Sequence, residues 1–138
     1  MNDFFTSLGF PALPEKELLD RLDKLALQAA PGSGLMVDTG FLGERHAPGK
    51  RGSIRDITLE NLTLPNLAGA FAEGIVTSLC EPLPPQLLHG CKRIAGSGNA
   101  IRHCASLRSA LERRLQLKLE LRDAREEAAT GTIKLIAN

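Results

Sequence analysis

One stretch of the sequence decides the fold: residues 92–121, which read KRIAGSGNAIRHCASLRSALERRLQLKLEL. The residues up to Ala95 are predicted to form a short strand, which a glycine-containing loop follows. After this loop, apolar residues recur at intervals of three or four. That spacing predicts one continuous helix with a buried stripe of Cys104, Leu107, Leu111 and Leu115. The alternation of apolar and charged residues over 117–121 predicts a strand. Strand, loop, helix and strand in this order build a parallel sheet, so we predict the α/β fold class.

Two glycines, Gly96 and Gly98, lie where the first of these strands passes into the helix. At such a place the first backbone N–H groups of the helix are unpaired, and the helix dipole favours an anion. A phosphate-bearing ligand is therefore the first hypothesis. A plain connection, in which the glycines serve only the tight geometry of the loop, is about equally open on the residues alone.

A Rossmann dinucleotide site is the second hypothesis for the same loop. Glu120 ends the second strand about where that motif keeps the acid that binds the ribose. The third glycine of the motif, needed for close packing of helix on strand, is replaced by Ile101. We rank the Rossmann hypothesis below the first one for that reason.

Length and composition bound the function. The 138 residues, 43% of them hydrophobic, suffice for one domain with its own core. A net charge of +1 with interspersed acids and bases gives no basic face, which disfavours roles at nucleic acids and membrane surfaces. Every apolar run falls far short of the roughly 20 residues of a membrane span, and the N-terminus lacks the features of a signal peptide. We expect a cytoplasmic protein.

The cysteines and histidines do not form a recognisable site. Three cysteines make an odd set without close pairing, which favours reduced thiols over a disulfide framework: Cys80, Cys91 and Cys104. The three histidines do not fall at metal-ligand spacings: His46, His89 and His103. We therefore predict neither a metal site nor Cys/His catalysis.

Before the deciding stretch, the chain predicts two helices, a strand, a long loop and a third helix. The first helix ends near Leu8, and the second begins at Pro14 with an apolar face of Leu18, Leu22, Leu25, Ala26 and Ala29. A short strand over 35–37 leads into a polar loop over 41–52, in which Glu44 and Arg45 form either a surface ion pair or a bridge that orders a cleft. Thr63 is predicted to cap a third helix, which has Pro65 in its first turn. The side of this helix that faces the core is predicted to consist of Leu64, Leu67, Ala68, Phe71, Ile75 and Leu79.

After the deciding stretch, Asp123 and Glu126 have the spacing of a capping box and predict a last helix over 124–137. Small residues in it, Ala128, Ala129 and Gly131, allow a neighbouring element or a flat ring to come close. Tight packing of helix on sheet is the favoured interpretation.

Five separated segments lie in a characteristic order across nearly the whole chain: 41–46 (FLGERH), 51–54 (RGSI), 72–76 (AEGIV), 96–102 (GSGNAIR) and 125–131 (REEAATG). Together they resemble the C-terminal domain of the FGGY carbohydrate kinases. The resemblance implies a partial actin-like, ribonuclease-H-like ATPase domain. Residues 1–138 would form one such domain: a helical lead-in (1–34), a strand with the Gly-Glu-Arg-His loop (35–62), and a helix-strand core with the adenosine motif (63–138).

In this family two domains close around a cleft in which ATP phosphorylates a sugar hydroxyl. The resemblance implies that part of the adenosine site is formed by Gly96, Ser97, Gly98, Asn99 and Arg102. The backbone near Gly98 would lie against the nucleotide, and the Arg102 side chain would line the adenine pocket. Asn99 stands where the family usually has a third small residue.

The resemblance also implies that the catalytic machinery precedes Met1: the aspartate general base, the Asp-x-Gly phosphate loop and a second phosphate loop. Since phosphoryl transfer depends on such groups and on Mg²⁺, we expect no catalytic residue or metal ligand in this chain. Strands missing from the sheet would leave an exposed edge, which predicts self-association or pairing with a partner chain. A non-catalytic interaction remnant, or a subunit that completes a partner chain, is a further hypothesis.

Overall fold

The computed structural model describes residues 2–41, 43 and 47–122. Its elements, in chain order, are α1 (Asn2–Ser7), α2 (Glu15–Ala26), β1 (Met36–Asp38), β2 (Ser53–Arg55), α3 (Leu64–Cys80), a 3₁₀ turn (Pro85–Leu88), β3 (Arg93–Gly96), α4 (Asn99–His103), α5 (Ala105–Leu115) and β4 (Lys118–Leu121). The predicted helix 124–137 and the Glu44–Arg45 pair lie outside these described residues. Within them, no helix is long and apolar enough to cross a bilayer.

Strands β3 and β4 form the parallel pair that the sequence predicts, with Arg93 opposite Lys118 and Gly96 opposite Leu121. Strands β1 and β2 form a separate antiparallel pair, in which Met36 lies opposite Arg55. The described part of the chain is therefore a mixed α/β structure with two small two-stranded sheets.

The prediction of one continuous helix after the glycine loop is wrong, because the helix is interrupted at Cys104. This residue has extended backbone angles, φ −103° and ψ 104°, and separates α4 from α5. Leu107 nevertheless lies in the core, and Cys104 and Leu111 pack against it, so three of the four predicted stripe residues contact this cluster. Helix α5 ends at Gln116, which adopts the left-handed conformation with φ 53°.

Helix α3 is the central element and packs against α2, α5 and β1. Its start is as predicted, since the Thr63 hydroxyl accepts a hydrogen bond from the Asn66 N–H at 3.3 Å. Two clusters make up the core. One consists of Ala72, Val76, Leu107 and Ala110, and the other of Leu35, Val37 and Ala70.

The predicted buried side of α3 is only partly correct. Leu67 and Phe71 pack against a core cluster, whereas Leu64, Ile75 and Leu79 are 39%, 38% and 57% exposed. The buried residues of α3 are instead mostly small: Asn66, Ala70, Ala72, Gly74 and Val76. Hydrophobic periodicity favours large side chains, but here close approach of neighbouring backbones selects the small ones.

Two glycines on α3 permit that close approach. A Cβ added at Gly74 would lie 2.2 Å from the carbonyl oxygen of Val37 in β1. A Cβ added at Gly69 would lie 2.5 Å from the Cβ of Ala29, just beyond α2. These separations are far shorter than van der Waals contact, so neither position has room for a side chain.

Two buried asparagines tie the loops to the start of α3. The Asn66 side chain accepts from the Ala30 N–H at 2.9 Å and donates to the Asn61 carbonyl at 3.0 Å. The Asn61 amide in turn donates to the Ser33 carbonyl at 3.0 Å. Because buried polar groups must be paired, this network fixes the connection that leads from α2 to β1.

We expect Gly74→Ala to lower the free energy of unfolding by about 1–3 kcal/mol, the usual cost of overpacking an interior. The added methyl group would collide with the Val37 carbonyl, whose oxygen lies 2.2 Å away. The higher helix propensity of alanine, about 1 kcal/mol, offsets only part of this cost. Urea unfolding followed by circular dichroism measures the change.

Gly49→Ala is the matched control, since an added Cβ meets nothing within 4 Å there. Equal unfolding midpoints for the two variants would show that α3 and β1 are not in direct contact.

Candidate functional site

The predicted nucleotide loop connects β3 to α4. Gly96 is the last residue of β3 and is buried, Ser97 is half-buried, and Gly98 and Asn99 are exposed. Asn99 begins α4, and Arg102 lies near the end of this short helix. The structure thus places the five predicted residues on one strand-to-helix connection.

Gly96 is required by its neighbours in the fold. A Cβ at this position would lie 2.9 Å from Ile101 Cγ2 and 3.1 Å from Leu119 Cδ2. Ile101 fills the space beside Gly96 from α4, and Leu119 fills it from β4. The residue that breaks the Rossmann pattern is therefore part of the packing that fixes the base of the loop.

Gly98 is required by its backbone conformation. Its φ is +89° and its ψ is 161°, a region that is essentially restricted to glycine. Among the described residues, nothing lies within 4 Å of a Cβ added here. That part of the chain leaves the loop surface at Gly98 open, and a flat ring could approach its backbone closely.

Arg102 is held by the end of the second strand. Its guanidinium donates a hydrogen bond to the backbone carbonyl of Arg122. The Arg122 N–H in turn donates to the Gly96 carbonyl at 3.0 Å. These contacts join α4, the strand end and the base of the loop into one closed arrangement.

The junction of α4 and α5 is held by two charged side chains. Arg108 in α5 donates through Nη1 to the carbonyls of Ile101 and Arg102, at 2.7 and 2.9 Å. It thereby satisfies carbonyl groups at the end of α4 that have no partner within the helix. The positive charge also suits a helix C-terminus.

Asp23 on α2 performs the complementary task at the start of α5. Its carboxylate accepts from the Ala105 N–H at 3.0 Å, from the Ser106 N–H at 2.9 Å and from the Ser106 hydroxyl at 2.6 Å. An N-cap is thus supplied by a residue more than 80 positions away in sequence. Sequence reasoning missed it because nothing near Cys104 marks a helix start.

The pKa of Asp23 reflects this environment. Partial burial raises the pKa, but the hydrogen bonds from Ser106 and Ala105 and the nearby charge of Arg108 outweigh it, so that the net pKa lies below its ordinary value. Burial, with a contribution from Asp23, raises the pKa of the neighbouring Cys104 thiol. The junction therefore favours a carboxylate and a neutral thiol.

The sequence also contains an Asp-x-Gly tripeptide, Asp38 to Gly40, which begins at the last residue of β1. The Asp38 carboxylate, however, accepts from the Gly40 N–H at 3.0 Å and lies 3.4 Å from the Lys50 ammonium. The Phe41 and Gly43 N–H groups donate to carbonyls of the same turn. These donors are engaged within the turn rather than directed at a phosphate.

Two further predicted features have definite positions. Glu120, the Rossmann acid candidate, forms an exposed ion pair with Arg93 at 3.1 Å across the parallel pair. Among residues 2–41, 43 and 47–122, no group of three or more His, Cys, Asp or Glu lies close enough to hold a metal ion. No disulfide joins Cys80, Cys91 or Cys104 within the described residues.

A cavity of about 430 Å³ opens elsewhere, between the end of α2, α3 and α5. Its lining includes Ser33, Gly69 and Arg113 but none of the residues of the predicted loop. Arg113 is occupied there by the Glu73 carboxylate and the Ser109 hydroxyl. The residues of the predicted adenosine site therefore lie outside this cavity.

Solved structures with a similar fold are sugar kinases. Xylulose kinase from Bifidobacterium adolescentis superposes with a TM-score of 0.66 at 28% identity, over 88% of this chain and 24% of that protein. Xylulose kinase from Rhodospirillum rubrum gives a TM-score of 0.60 at 24% identity, over 73% and 21%. The described helices and small sheets thus form part of an actin-like ATPase fold.

Sequence comparison gives a consistent result. The chain is 31% identical to sedoheptulokinase of Homo sapiens over 107 residues, which cover 76% of this chain and 22% of that protein. It is 35% identical to sedoheptulokinase of Mus musculus over 81 residues, covering 57% and 17%. The chain therefore spans about a fifth of the length of the curated relatives it matches. No protein-family model matches it.

These likenesses confirm the resemblance found in the sequence: the chain is related to part of an FGGY-family carbohydrate kinase.

Proposed function

We propose that this chain carries the adenosine-binding part of an ATP-dependent sugar kinase. The parent reaction would transfer the terminal phosphoryl group of ATP to an alcohol group of a sugar such as sedoheptulose. The observation that carries the proposal is the GSGNAIR loop: it lies between parallel strands, with an open face at Gly98, in a chain related to sedoheptulokinases.

Each residue of the loop has a distinct part in this proposal. Gly96 anchors the loop beneath Ile101 and Leu119, and the backbone from Ser97 to Asn99 faces the nucleotide. Gly98 keeps that surface free of side-chain atoms, so the ring or the ribose can lie against it. Arg102, whose guanidinium binds the Arg122 carbonyl, forms a side wall for adenine.

The proposal assigns the phosphate end of ATP and Mg²⁺ to no described residue of this chain. Phosphoryl transfer is achieved mainly by positioning and by electrostatic stabilisation of the transferred group. The Asp38 turn is closed by its own hydrogen bonds and by Lys50. The isolated chain would therefore hold adenosine without performing the reaction.

We also propose that the chain associates with another strand-bearing surface. Among the described strands, β3 pairs only with β4, so that no described strand covers its other edge. On this strand Ile94 is half-buried and Ala95 is exposed. An open edge that carries apolar residues recruits a further strand, either from a second copy or from a partner chain.

The first expected outcome concerns activity. The purified chain should release no ADP when incubated with ATP, Mg²⁺ and sedoheptulose in a coupled assay. Loss of general-base help alone costs about 10²–10⁴-fold, and loss of positioning costs more. A full-length sugar kinase assayed in parallel controls the coupling system, and sugar-dependent turnover by the chain at a comparable rate would refute this part of the proposal.

The second expected outcome concerns nucleotide binding. ATP should bind weakly and shift the amide resonances of Gly98 and Asn99 in a titration followed by NMR. Gly98→Val should abolish these shifts, since it places a branched side chain on the open face of the loop.

Gly90→Val is the matched control for backbone strain. Gly90 also has a positive φ, +78°, and an added Cβ there meets nothing within 4 Å. ATP binding should survive in this variant. Shifts confined to Ser33 and Gly69 would place the nucleotide in the 430 Å³ cavity and contradict the assignment to the loop.

The third expected outcome concerns assembly. Sedimentation velocity should show association that grows with concentration, and Ala95→Lys on β3 should weaken it, because an edge lysine opposes strand pairing. Leu59→Lys, which places the same charge at a 96% exposed position between β2 and α3, is the control. Persistent monomers with a sharp thermal transition would contradict edge pairing, as would association that only Leu59→Lys disrupts.

A further inference from the structure

The nucleotide loop does not rest on β3 and β4 alone. Helix α4, which carries Arg102, has only five residues, and it ends at the extended residue Cys104. A helix this short has little stability of its own. Its position must therefore be set by what holds its two ends.

The C-terminal end of α4 is attached to α5 through Arg108. The guanidinium binds the Ile101 and Arg102 carbonyls at 2.7 and 2.9 Å. Ile101 covers Gly96 and Arg102 binds the end of β4, so any movement of this end is transmitted to the loop. The position of α4 is thus coupled to the position of the first turn of α5.

The first turn of α5 is in turn held by α2. Three hydrogen bonds, all to the Asp23 carboxylate, fix the Ala105 and Ser106 N–H groups and the Ser106 hydroxyl. Ser106 is 8% exposed, so this contact lies in a partly desolvated place where charge-assisted hydrogen bonds are strong.

We infer that Asp23 is a positioning residue for the nucleotide loop, acting through α5 and Arg108 on α4. The part of this inference that concerns ATP binding rests on the proposed function, whereas the part that concerns the position of α4 does not. The three hydrogen bonds of Asp23 go to Ala105 and Ser106, outside the proposed adenosine-binding residues, so its effect is on where those residues are held. Removal of its charge should loosen α4 while the contact between α3 and β1 stays intact.

The charged groups around Asp23 determine the pH dependence. Arg108 faces it from α5, Cys104 faces it from the junction, and Asp20 lies on the same helix. The Glu73 carboxylate on α3 is paired with Arg113 and is not among the groups that shift the pKa of Asp23. Since the pKa of Asp23 is lowered by folding, its contribution is present above the ordinary value of 3.8 and is lost as pH falls below it.

Hydrogen exchange followed by NMR tests the inference in the full 138-residue chain. In Asp23→Asn, the Arg102 and Cys104 amides, which donate to Gly98 and Ala100, should lose protection about tenfold or more, the scale of a hydrogen bond to a charged group. The Leu67 amide, which donates to Thr63 at the start of α3, should keep its protection. Equal losses at all three sites would show general destabilisation and overturn the inference, as would unchanged protection in α4.

Two other variants sharpen the comparison. Asp20→Asn removes the same charge from the same helix and should leave α4 protection unchanged. Ser106→Ala removes only one of the three hydrogen bonds to Asp23 and should cause a smaller loss. This milder variant decides the question if Asp23→Asn fails to fold, because unchanged α4 protection in it overturns the inference. On acidification below 3.8, α4 protection in the wild type should approach that of Asp23→Asn, whose own α4 protection should not respond.

Measurements of ATP binding separate this inference from the proposed function. Asp23→Asn should weaken ATP binding about tenfold relative to Asp20→Asn, which corresponds to about 1.4 kcal/mol. If the wild type binds no ATP at the loop, the proposed function fails and the exchange experiment alone decides the positioning role. If ATP binds equally well to both variants, the positioning role is overturned while the proposed function stands.

Discussion

Helix α3 and strand β1 lie in contact because Gly74 has no side chain, and most of the described structure follows from that approach. The Val37 carbonyl occupies the place of the missing Cβ. On the same helix, the Ala29 side chain lies where a Cβ of Gly69 would be, which brings the end of α2 against α3. With α2 and β1 in these positions, α5 can pack on the remaining side and complete the core around Val76 and Ala110. A helix that packs against three neighbouring elements needs small side chains at the contacts, and α3 has them.

The sequence was informative where local chemistry decides the structure. Thr63 caps α3 with the expected hydrogen bond, and the alternation before Leu121 gives the strand that pairs in parallel with β3. It was misleading where distant residues decide. The periodicity of α3 selected Ile75 and Leu79 as buried, although the glycine contacts turn another side of the helix inward. The break at Cys104 was invisible because its cap, Asp23, belongs to a different helix, and no local pattern encodes such a partner.

The two glycines of the loop illustrate the same limit within the site. Both were predicted, and for one shared reason, yet the structure requires them for different reasons. Gly96 is fixed by the side chains of Ile101 and Leu119, whereas Gly98 is fixed by a backbone conformation over an open surface. A packing glycine and a conformational glycine look identical in a sequence. Only the second leaves an exposed backbone, which is the property that a bound ring would use.

The contact between Asp23 and Ser106 has a consequence for the order of folding. It joins residues 83 positions apart, whereas Arg108 and Ile101 are only 7 apart. Closing a long loop costs more chain entropy than closing a short one, and contacts far apart in sequence form slowly. We therefore expect Arg108 to join α4 to α5 early, and the Asp23 carboxylate to engage only after α2 and α5 have both packed on α3. The loop from Gly96 to Asn99 would then reach its final position late in folding.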